Sequence, residues 1–327
     1  MRRRSQHWGG HVGIDLSPFA DVVGPANRGP VWIAGQQSRV AAPSSVRIVT
    51  APSGIYDLQP DEMTVVCGAG TSIGELQDSL TAVGQYVNLP RGTHGSGTVG
   101  GALSTGRSDI YRLGRGAIRD TLLQARYINH DGQIVSAGGP TVKNVSGFDL
   151  CRLLVGSFGQ LGFLGEVILR TRPIPQSSRW FMKNDARQDY VEAVLRRVYR
   201  PASVLWDGHT VWFCIEGNSR DCDETIQQLA TDLGAPTEVA GPPELNTFPF
   251  RESIPPAELA ELVQSQLSRG SDQLLVEAGV GIVHRHSPTE LKITDKTIEL
   301  LHQRMLQQFN PTGRLNPGVS LTTGSTV

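Results

Sequence analysis

The sequence predicts an α+β protein of two domains. Three observations support this: a length of 327 residues, an uneven distribution of glycine, and a change in the order of predicted elements after Pro173-Ile174-Pro175. Of the 37 glycines, 27 precede residue 176 and 10 follow it. We therefore expect a first domain over residues 1–175 and a second over 176–308, with the tail 309–327 packing back on the first.

Composition excludes several classes of function. The chain is 39% hydrophobic and 19% charged, as expected of a globular protein with a substantial core. A net charge of −1 provides no field for attracting nucleic acid or anionic lipid. No stretch reaches the ~20 apolar residues of a transmembrane helix, and Arg2-Arg3-Arg4 is followed by polar residues instead of a signal sequence. We expect a cytoplasmic protein without a transmembrane segment, whose scattered cysteines are buried thiols and not a disulfide frame or zinc site: Cys67, Cys151, Cys214 and Cys222.

Apolar periodicity predicts the elements of the first domain. The turn signal His130-Asp131-Gly132 joins two of the strands into a hairpin. The predicted strands are Met63–Cys67, Leu122–Asn129, Gln133–Ala137 and Phe163–Thr171, and the predicted helices are Ser72–Val83 and Leu150–Val155.

Beyond the boundary the elements follow the order β-α-β-β-α-β, which is typical of a ferredoxin-like unit. We predict a four-stranded antiparallel sheet over Gln176–Ala240 with both helices on one face. Its elements are Arg179–Lys183, Asp189–Tyr199, Ser203–Trp206, Thr210–Ile215, Asp223–Leu233 and Thr237–Ala240, followed by a helix at Ala257–Leu267, strands at Gln273–Ala278 and Gly281–His284, and a helix at Glu290–Gln308.

Dense glycine indicates either a cofactor with a phosphate bridge or a loop-rich fold. Neither of two glycine patterns supports a dinucleotide-binding Rossmann domain. Gly68-Ala69-Gly70 with Gly74 has the spacing GxGxxxG and lacks the acidic residue ~20 positions later, and residues 95–100 fit GxGxxG without a preceding strand.

Two further motifs each have a plainer interpretation. Ser72 lies in a GxSxG pattern typical of α/β-hydrolases, but with Glu75 it equally forms a helix-capping box, and too little chain precedes it for a hydrolase sheet. His284 and His286 could bind a metal from one strand face, yet the sequence supplies no third ligand, which favours ordinary strand histidines.

An ordered series of motifs occupies residues 98–170. These are Thr98-Val99-Gly100-Gly101, Arg119-Asp120, Lys143-Asn144 followed by Gly147-Phe148-Asp149-Leu150, and Gly156-Ser157-Phe158-Gly159 followed by Leu161-Gly162. The series resembles the PCMH-type FAD-binding domain of the vanillyl-alcohol oxidase superfamily, and most closely the E subunit of bacterial glycolate oxidase. The segment Asn310–Gly318 resembles the closing motif of that family.

The resemblance implies a two-subdomain PCMH-type FAD-binding domain followed by a ferredoxin-like cap domain, with FAD as cofactor. Pyrophosphate is best held by converging backbone N–H groups, which glycine allows to come close. Carried over to this chain, the cofactor-binding residues are Gly35, Ser38, Thr98, Val99, Gly100, Gly101, Ser104, Gly106, Gly159, Gly162 and, through main-chain hydrogen bonds, Glu166, Val167 and Ile168. Ser104 would donate its hydroxyl.

The implied function is oxidation of a small 2-hydroxy acid such as glycolate, with electrons passed to partner subunits, among them a second flavoprotein and an iron–sulfur protein. No general base can be named. Lys143 and Asn144 are candidates for a position near the flavin, whereas capping or turn stabilisation is favoured over catalysis for Asp120 and Asp149. The alternative is a non-catalytic assembly subunit of an oxidase complex.

The sequence departs from the family at its first glycine-rich loop. A run of the type GGGS is replaced by Gly35-Gln36-Gln37-Ser38. Glycines at such positions commonly have positive φ, and glutamine side chains occupy volume beside the phosphates. We therefore expect weaker FAD binding than in relatives with an intact loop.

Overall fold

A computed structural model describes residues 13–25, 29–36, 42–43, 46–90, 97–139, 149–245, 248–269, 273–288 and 296–319. Contacts divide the described chain into two units. The first draws on Met1–Asp109, Ala117–Ile174 and Ile293–Val327, and the second on Ile110–Gly116 and Pro175–Lys292.

The helices and strands, numbered along the chain, are α1 (Ser17–Val23), β1 (Val31–Ile33), β2 (Arg47–Val49), β3 (Ile55–Gln59), β4 (Thr64–Gly68), α2 (Ile73–Thr81), β5 (Gln85–Val87), α3 (Val99–Thr105), α4 (Arg112–Arg115), β6 (Leu122–Ile128), β7 (Ile134–Gly138), α5 (Leu150–Leu154), β8 (Phe163–Pro173), β9 (Ser177–Lys183), α6 (Gln188–Arg197), β10 (Ser203–Trp206), β11 (Val211–Gly217), α7 (Ser219–Leu233), β12 (Thr237–Val239), β13 (Phe250–Ser253), α8 (Leu259–Arg269), β14 (Leu274–Glu277), β15 (Ile282–Arg285) and α9 (Lys296–Phe309). Within the described residues, every helix and strand predicted from periodicity is present, with ends shifted by a few residues. Residues 290–295, at the start of the predicted helix Glu290–Gln308, lie outside the described residues.

The first unit is built around β8. Strands β4 and β6 pair with it on either side to give the order β3-β4-β8-β6-β7, and β5 pairs with its far end. Side chains of α2, α3 and α5 pack on this sheet in one buried cluster that includes Leu76, Leu103 and Leu154. Strands β1 and β2 form a separate parallel pair.

Ser72 begins α2 as a capping residue. Its hydroxyl accepts a hydrogen bond from the Glu75 N–H at 3.0 Å, which satisfies one of the free donors of the first turn. Asp149 caps α5 in the same way through the Arg152 N–H at 3.2 Å. The capping interpretation is therefore confirmed for both residues.

The second unit contains the predicted ferredoxin-like core. Its sheet has the order β12-β9-β11-β10-β14-β15-β13, and each neighbouring pair is antiparallel. Apolar residues of α6 and α7, such as Val194 and Leu229, pack with Phe181 and Phe213 in one cluster, so both helices cover the same face. The four-stranded prediction is confirmed, and β14, β15 and β13 extend the sheet.

Two segments lie in a different unit from the one that chain order suggested. Helix α9 was expected in the second domain, but Met305, Leu306 and Phe309 pack against the core of the first unit. Residues 110–116, expected in the first domain, belong to the second unit because Ile110 is buried with Trp180 and its neighbours. Periodicity along the chain carries no information about which core a single amphipathic segment joins.

Candidate functional site

Thr98 is the centre of the predicted phosphate site. It begins α3, and its hydroxyl accepts the Gly101 N–H at 3.1 Å. A Cβ at Gly35 would lie 2.6 Å from the Thr98 Oγ1, and a Cβ at Gly101 would lie 3.0 Å from the same atom. The structure thus brings the loop after β1 and the loop before α3 together, as the resemblance implied.

The described residues leave space on one side of the backbone in the loop before α3. Apart from its chain neighbours and its own helix, the Cβ position of Gly101 has no other described atom within 4 Å, and that of Gly97 has only the Ile73 Cδ1, at 3.5 Å. Gly101 does not have positive φ. A glycine here therefore leaves room for a ligand and does not supply an unusual backbone conformation. A phosphate group can approach the main chain here.

Gln36 contacts the same loop through its side chain. Its Oε1 accepts the Gly97 N–H at 2.9 Å, in an exposed position. Gln36 does not have positive φ, so the expected backbone strain is wrong for this residue. Its side-chain oxygen instead takes up the Gly97 N–H, a donor that a phosphate oxygen could use.

The backbone N–H groups of Val99 and Gly100 are hydrogen-bonded within the protein. The Gly100 N–H donates to the Ala69 carbonyl at 2.7 Å, and the Val99 N–H donates to the Thr71 carbonyl at 2.9 Å. A Cβ at Gly100 would lie 2.9 Å from that Ala69 oxygen. Their backbone N–H groups hold the start of α3 against the end of β4.

The end of α3 meets the loop after α5. Gly106 has φ +64° and its Cβ would lie 2.8 Å from the Gly156 Cα. The carbonyl of Ser104 accepts the Phe158 N–H at 2.8 Å, while the Ser104 side chain is half-buried. Backbone packs on backbone here, which explains the glycines without a ligand.

Asn316 ties the C-terminal tail to this region. Its Oδ1 accepts the Ile33 N–H and its Nδ2 donates to the Phe158 carbonyl, both at 2.6 Å. A Cβ at Gly159 would lie 2.7 Å from the same Nδ2. Gln160 adds a bond from its Nε2 to the Val319 carbonyl at 2.8 Å. The tail therefore holds β1 and the loop after α5 together.

The remaining predicted residues lie in or beside β8. A Cβ at Gly162 would lie 2.6 Å from the Tyr127 ring. Glu166 is 2% exposed, and its carboxylate accepts the Ile14 N–H at 2.6 Å and pairs with Arg126 at 3.3 Å. Glu166, Val167 and Ile168 each lie opposite residues of both β4 and β6. Main-chain hydrogen bonds from these three residues to FAD stay a prediction.

Some predicted residues lie outside the described residues, namely Ser38, Lys143 and Asn144, with Gln37 beside the first. Asp120 pairs with Arg152 at 3.5 Å on the surface. In the described part of the chain, no group of three or more His, Cys, Asp or Glu side chains is arranged to hold a metal ion. No helix in that part is both long and apolar enough to cross a membrane.

Comparison with known proteins finds a family match that includes both loops. Residues 21–138 match the family model described as an FAD binding domain. This part of the chain is similar to FAD-binding domains. The family model indicates FAD as the cofactor, and the matched segment includes Gly35, Gln36, Thr98 and Gly101.

Two curated relatives match part of the chain. The chain is 29% identical over 192 residues to glycolate oxidase subunit GlcE of Escherichia coli (strain K12), covering 58% of this chain and 53% of that protein. It is 32% identical over 135 residues to D-lactate dehydrogenase of Archaeoglobus fulgidus, covering 41% of this chain and 30% of that one. The chain thus spans about half the length of the first relative and less of the second.

Solved structures extend the match to the whole fold. Alkyldihydroxyacetonephosphate synthase superposes on 93% of this chain and 74% of its own with a TM-score of 0.68 at 13% identity. At this identity the match shows the fold alone. The α+β class predicted from sequence, a PCMH-type FAD-binding domain with a ferredoxin-like cap, is confirmed.

The described residues fit FAD at the phosphate loops. The open Cβ positions of Gly97 and Gly101 leave room for a phosphate beside the backbone, and Thr98 supplies a hydroxyl. Sequence reasoning placed the glutamine side chains beside the phosphates, but it missed the hydrogen bond between Gln36 and the Gly97 N–H and the contribution of Asn316. The only signal for Asn316 was its place in the closing motif, and nothing in the sequence indicated that Gln36 would reach Gly97.

Proposed function

We propose that this chain binds FAD through its first unit and takes part in the oxidation of a small 2-hydroxy acid such as glycolate. The observation that carries the proposal is the match of residues 21–138 to the FAD binding domain, in a structure where Gly35, Thr98 and Gly101 lie together. Two relatives named for glycolate oxidase and D-lactate dehydrogenase support the substrate class.

FAD, when bound, supplies a hydride acceptor, and the protein binds and orients it. The backbone at Gly97 and Gly101 would contact the phosphates, and Thr98 would add its hydroxyl. The other predicted residues extend this proposal along the cofactor: the main chain of Glu166, Val167 and Ile168 would contact its other end. Asn316 would act indirectly, by fixing β1 against the loop after α5.

Electrons would leave through partner subunits. The relative GlcE is named as a subunit, which supports an assembly with a second flavoprotein and an iron–sulfur protein. The four cysteines of this chain are free and buried, and cluster ligation requires several thiolates around one site, so we assign the cluster to a partner. The proposal places the chain in the cytoplasm, with contact to the inner membrane made by partners.

A second candidate function is assembly without catalysis, in which flavin binding is weak or lost. The hydrogen bond from the Gly97 N–H to the Gln36 Oε1 favours it, because it withdraws a donor from the phosphate site.

Absorbance of the purified chain separates the two candidates. A flavin spectrum that bleaches when glycolate is added without oxygen, and not when acetate is added, is the expected result. A folded chain that takes up no flavin from excess FAD would support the assembly role. Bound flavin that no 2-hydroxy acid bleaches, alone or with the partner subunits, would contradict the proposed substrate class.

A further inference from the structure

The loop after α5, residues 155–162, holds a phenylalanine in a backbone conformation that favours glycine. Gly156, Phe158 and Gly159 have φ values of +82°, +51° and +74°. Glycine adopts such angles freely, whereas a Cβ makes them unfavourable, and a bulky residue there is an outlier. Two of the three positions are glycine, as expected. At the third, the side chain must supply something that glycine would not.

The other described non-glycine residues with positive φ are of two kinds. Met63, Asp185 and Arg200 are exposed residues at turns or bends between consecutive elements. Asn316, with φ +43°, is 5% exposed, and its Nδ2 donates to the Phe158 carbonyl at 2.6 Å. The two outliers that are not exposed are thus hydrogen-bonded to each other. Such conformations persist only where the surrounding structure holds them, and they cluster at functional sites.

Phe158 contacts the end of α3 through its backbone. Its N–H donates to the Ser104 carbonyl at 2.8 Å, and the Gly156 N–H donates to the Leu103 carbonyl at 2.9 Å. Carbonyls in the last turn of a helix need partners from outside it, and this loop supplies them. The same helix begins at Thr98, beside the proposed phosphate site.

The Phe158 ring contacts the base of the other glycine loop. It packs against the buried cluster of Trp32, Ala34 and Val319. Ala34 directly precedes Gly35 in the loop after β1. Phe158 therefore joins this loop, through its ring, to α3, through its backbone. A glycine at position 158 would relieve the unfavourable φ but would lose the ring contact.

We propose that Phe158 is a positioning residue for FAD, which keeps the loop after β1 and helix α3 at the spacing that the phosphates require. The inference rests on the proposed contact of the phosphates with the backbone at Gly97 and Gly101. Loops that are fixed before a ligand binds give higher affinity, because less conformational freedom is lost on binding. Asn316 holds the Phe158 carbonyl, and the ring makes the contact that glycine cannot.

The test titrates the flavin-free chain and its folded variants with FAD. Phe158→Gly should bind FAD about tenfold more weakly, which is within the usual range of coupling between linked elements. Phe158→Leu, which restores an apolar side chain, should recover most of that loss. Met63→Gly removes a positive φ of similar size, +53°, at an exposed turn, and should leave the affinity unchanged.

A fourth variant separates positioning from general stability. Leu80→Ala opens a cavity in the core of the first unit, where Leu80 is fully buried. We expect it to lower the melting temperature without changing the affinity for FAD at a temperature where circular dichroism shows the chain folded. A purely structural role for Phe158 would give the same result in Phe158→Gly.

Three results would overturn the proposal: unchanged FAD affinity in folded Phe158→Gly, an affinity in Phe158→Leu as low as in Phe158→Gly, or an equal loss in Leu80→Ala or Met63→Gly. If Phe158→Gly does not fold, hydrogen exchange in the unaltered chain decides. Because coupling is reciprocal, bound FAD should slow exchange of the Phe158 N–H and leave that of the Met63 N–H unchanged. Exchange at Phe158 that FAD does not slow would contradict the role.

This inference and the proposed function fail in different ways. Equal FAD affinity in Phe158→Gly and the unaltered chain, with flavin that glycolate bleaches, would overturn the inference alone. Weakened FAD binding in Phe158→Gly, with flavin that no 2-hydroxy acid bleaches, would overturn the substrate class alone. A folded unaltered chain that takes up no FAD would overturn both.

Discussion

Glycine packs against neighbouring main chain at more positions in the first unit than in the second. In the first, a Cβ at Gly68 or Gly70 would lie 2.2 Å from a backbone carbonyl oxygen, that of Pro52 or Ala51. In the second, Gly217 and Gly241 have no described atom within 4 Å of the Cβ position. Gly281 is an exception in the second unit, since its Cβ would lie 2.3 Å from the Ile254 carbonyl oxygen. Both units have apolar side-chain cores. Periodicity predicted elements in both units, whereas ordered motifs identified only the first.

Gly68→Val tests this difference between the units and has the largest expected effect on the free energy of unfolding. The Pro52 carbonyl cannot move without disrupting the end of β4, so we expect a loss of about 3 kcal/mol or more in the free energy of unfolding. Gly241→Val in the second unit is the matched control and should change it by less than about 0.5 kcal/mol. Urea denaturation followed by circular dichroism measures both. Equal, small effects would show that the first unit tolerates side chains at this junction.

Asn316→Ala tests whether the tail belongs to the first unit's architecture. The change leaves the Ile33 N–H and the Phe158 carbonyl without their partner, at a cost of about 2–4 kcal/mol in the free energy of unfolding. Asn184→Ala, which removes only an exposed contact with Thr210, is the control and should cost less than about 0.5 kcal/mol. Equal melting temperatures for the two variants would refute this role of Asn316.

Ionisation of buried thiols makes the stability of both units fall at alkaline pH. Burial raises the pKa of Cys67 in the first unit and of Cys214 in the second from 9.0 to about 12. Because the folded pKa is the higher one, this stability is fully present below pH 9 and is lost between about pH 9 and 12. We expect the free energy of unfolding to fall less between pH 8 and 10.5 in Cys67→Ala than in the unaltered chain. Parallel pH profiles would argue against a buried neutral thiol.

The double change Gln36→Gly with Gln37→Gly tests how the glutamines of the first unit affect its affinity for FAD. Releasing the Gly97 N–H from the Gln36 Oε1 should tighten FAD binding by several-fold to about tenfold, at 1.4 kcal/mol per decade. Titration of the flavin-free chain measures it. Unchanged or weaker binding would mean that the glutamines are themselves FAD ligands.

Much of the fold was predictable because each element carries its own local signal. Alternation and helical spacing located β8, α6 and α7, and Ser72 marked the start of α2. The assignment of α9 to the first unit was not predictable, since its contacts through Phe309 are long-range. The contact between His284 and Glu277 was hidden for the same reason: His284 was recognisable as a strand histidine, but its contact with Glu277 depends on strand register. The short strands β1, β2 and β13 were not predicted.

The account rests on the loop around Thr98 as the place where FAD phosphates meet the main chain, and Gly101→Val tests it most directly. Valine would fill the open space above this residue and press on the Thr98 Oγ1. We expect a folded protein, judged by circular dichroism and its melting temperature, whose affinity for FAD in titration falls at least about tenfold. A folded Gly101→Val chain that binds FAD as tightly as the unaltered protein would contradict the assignment of this loop.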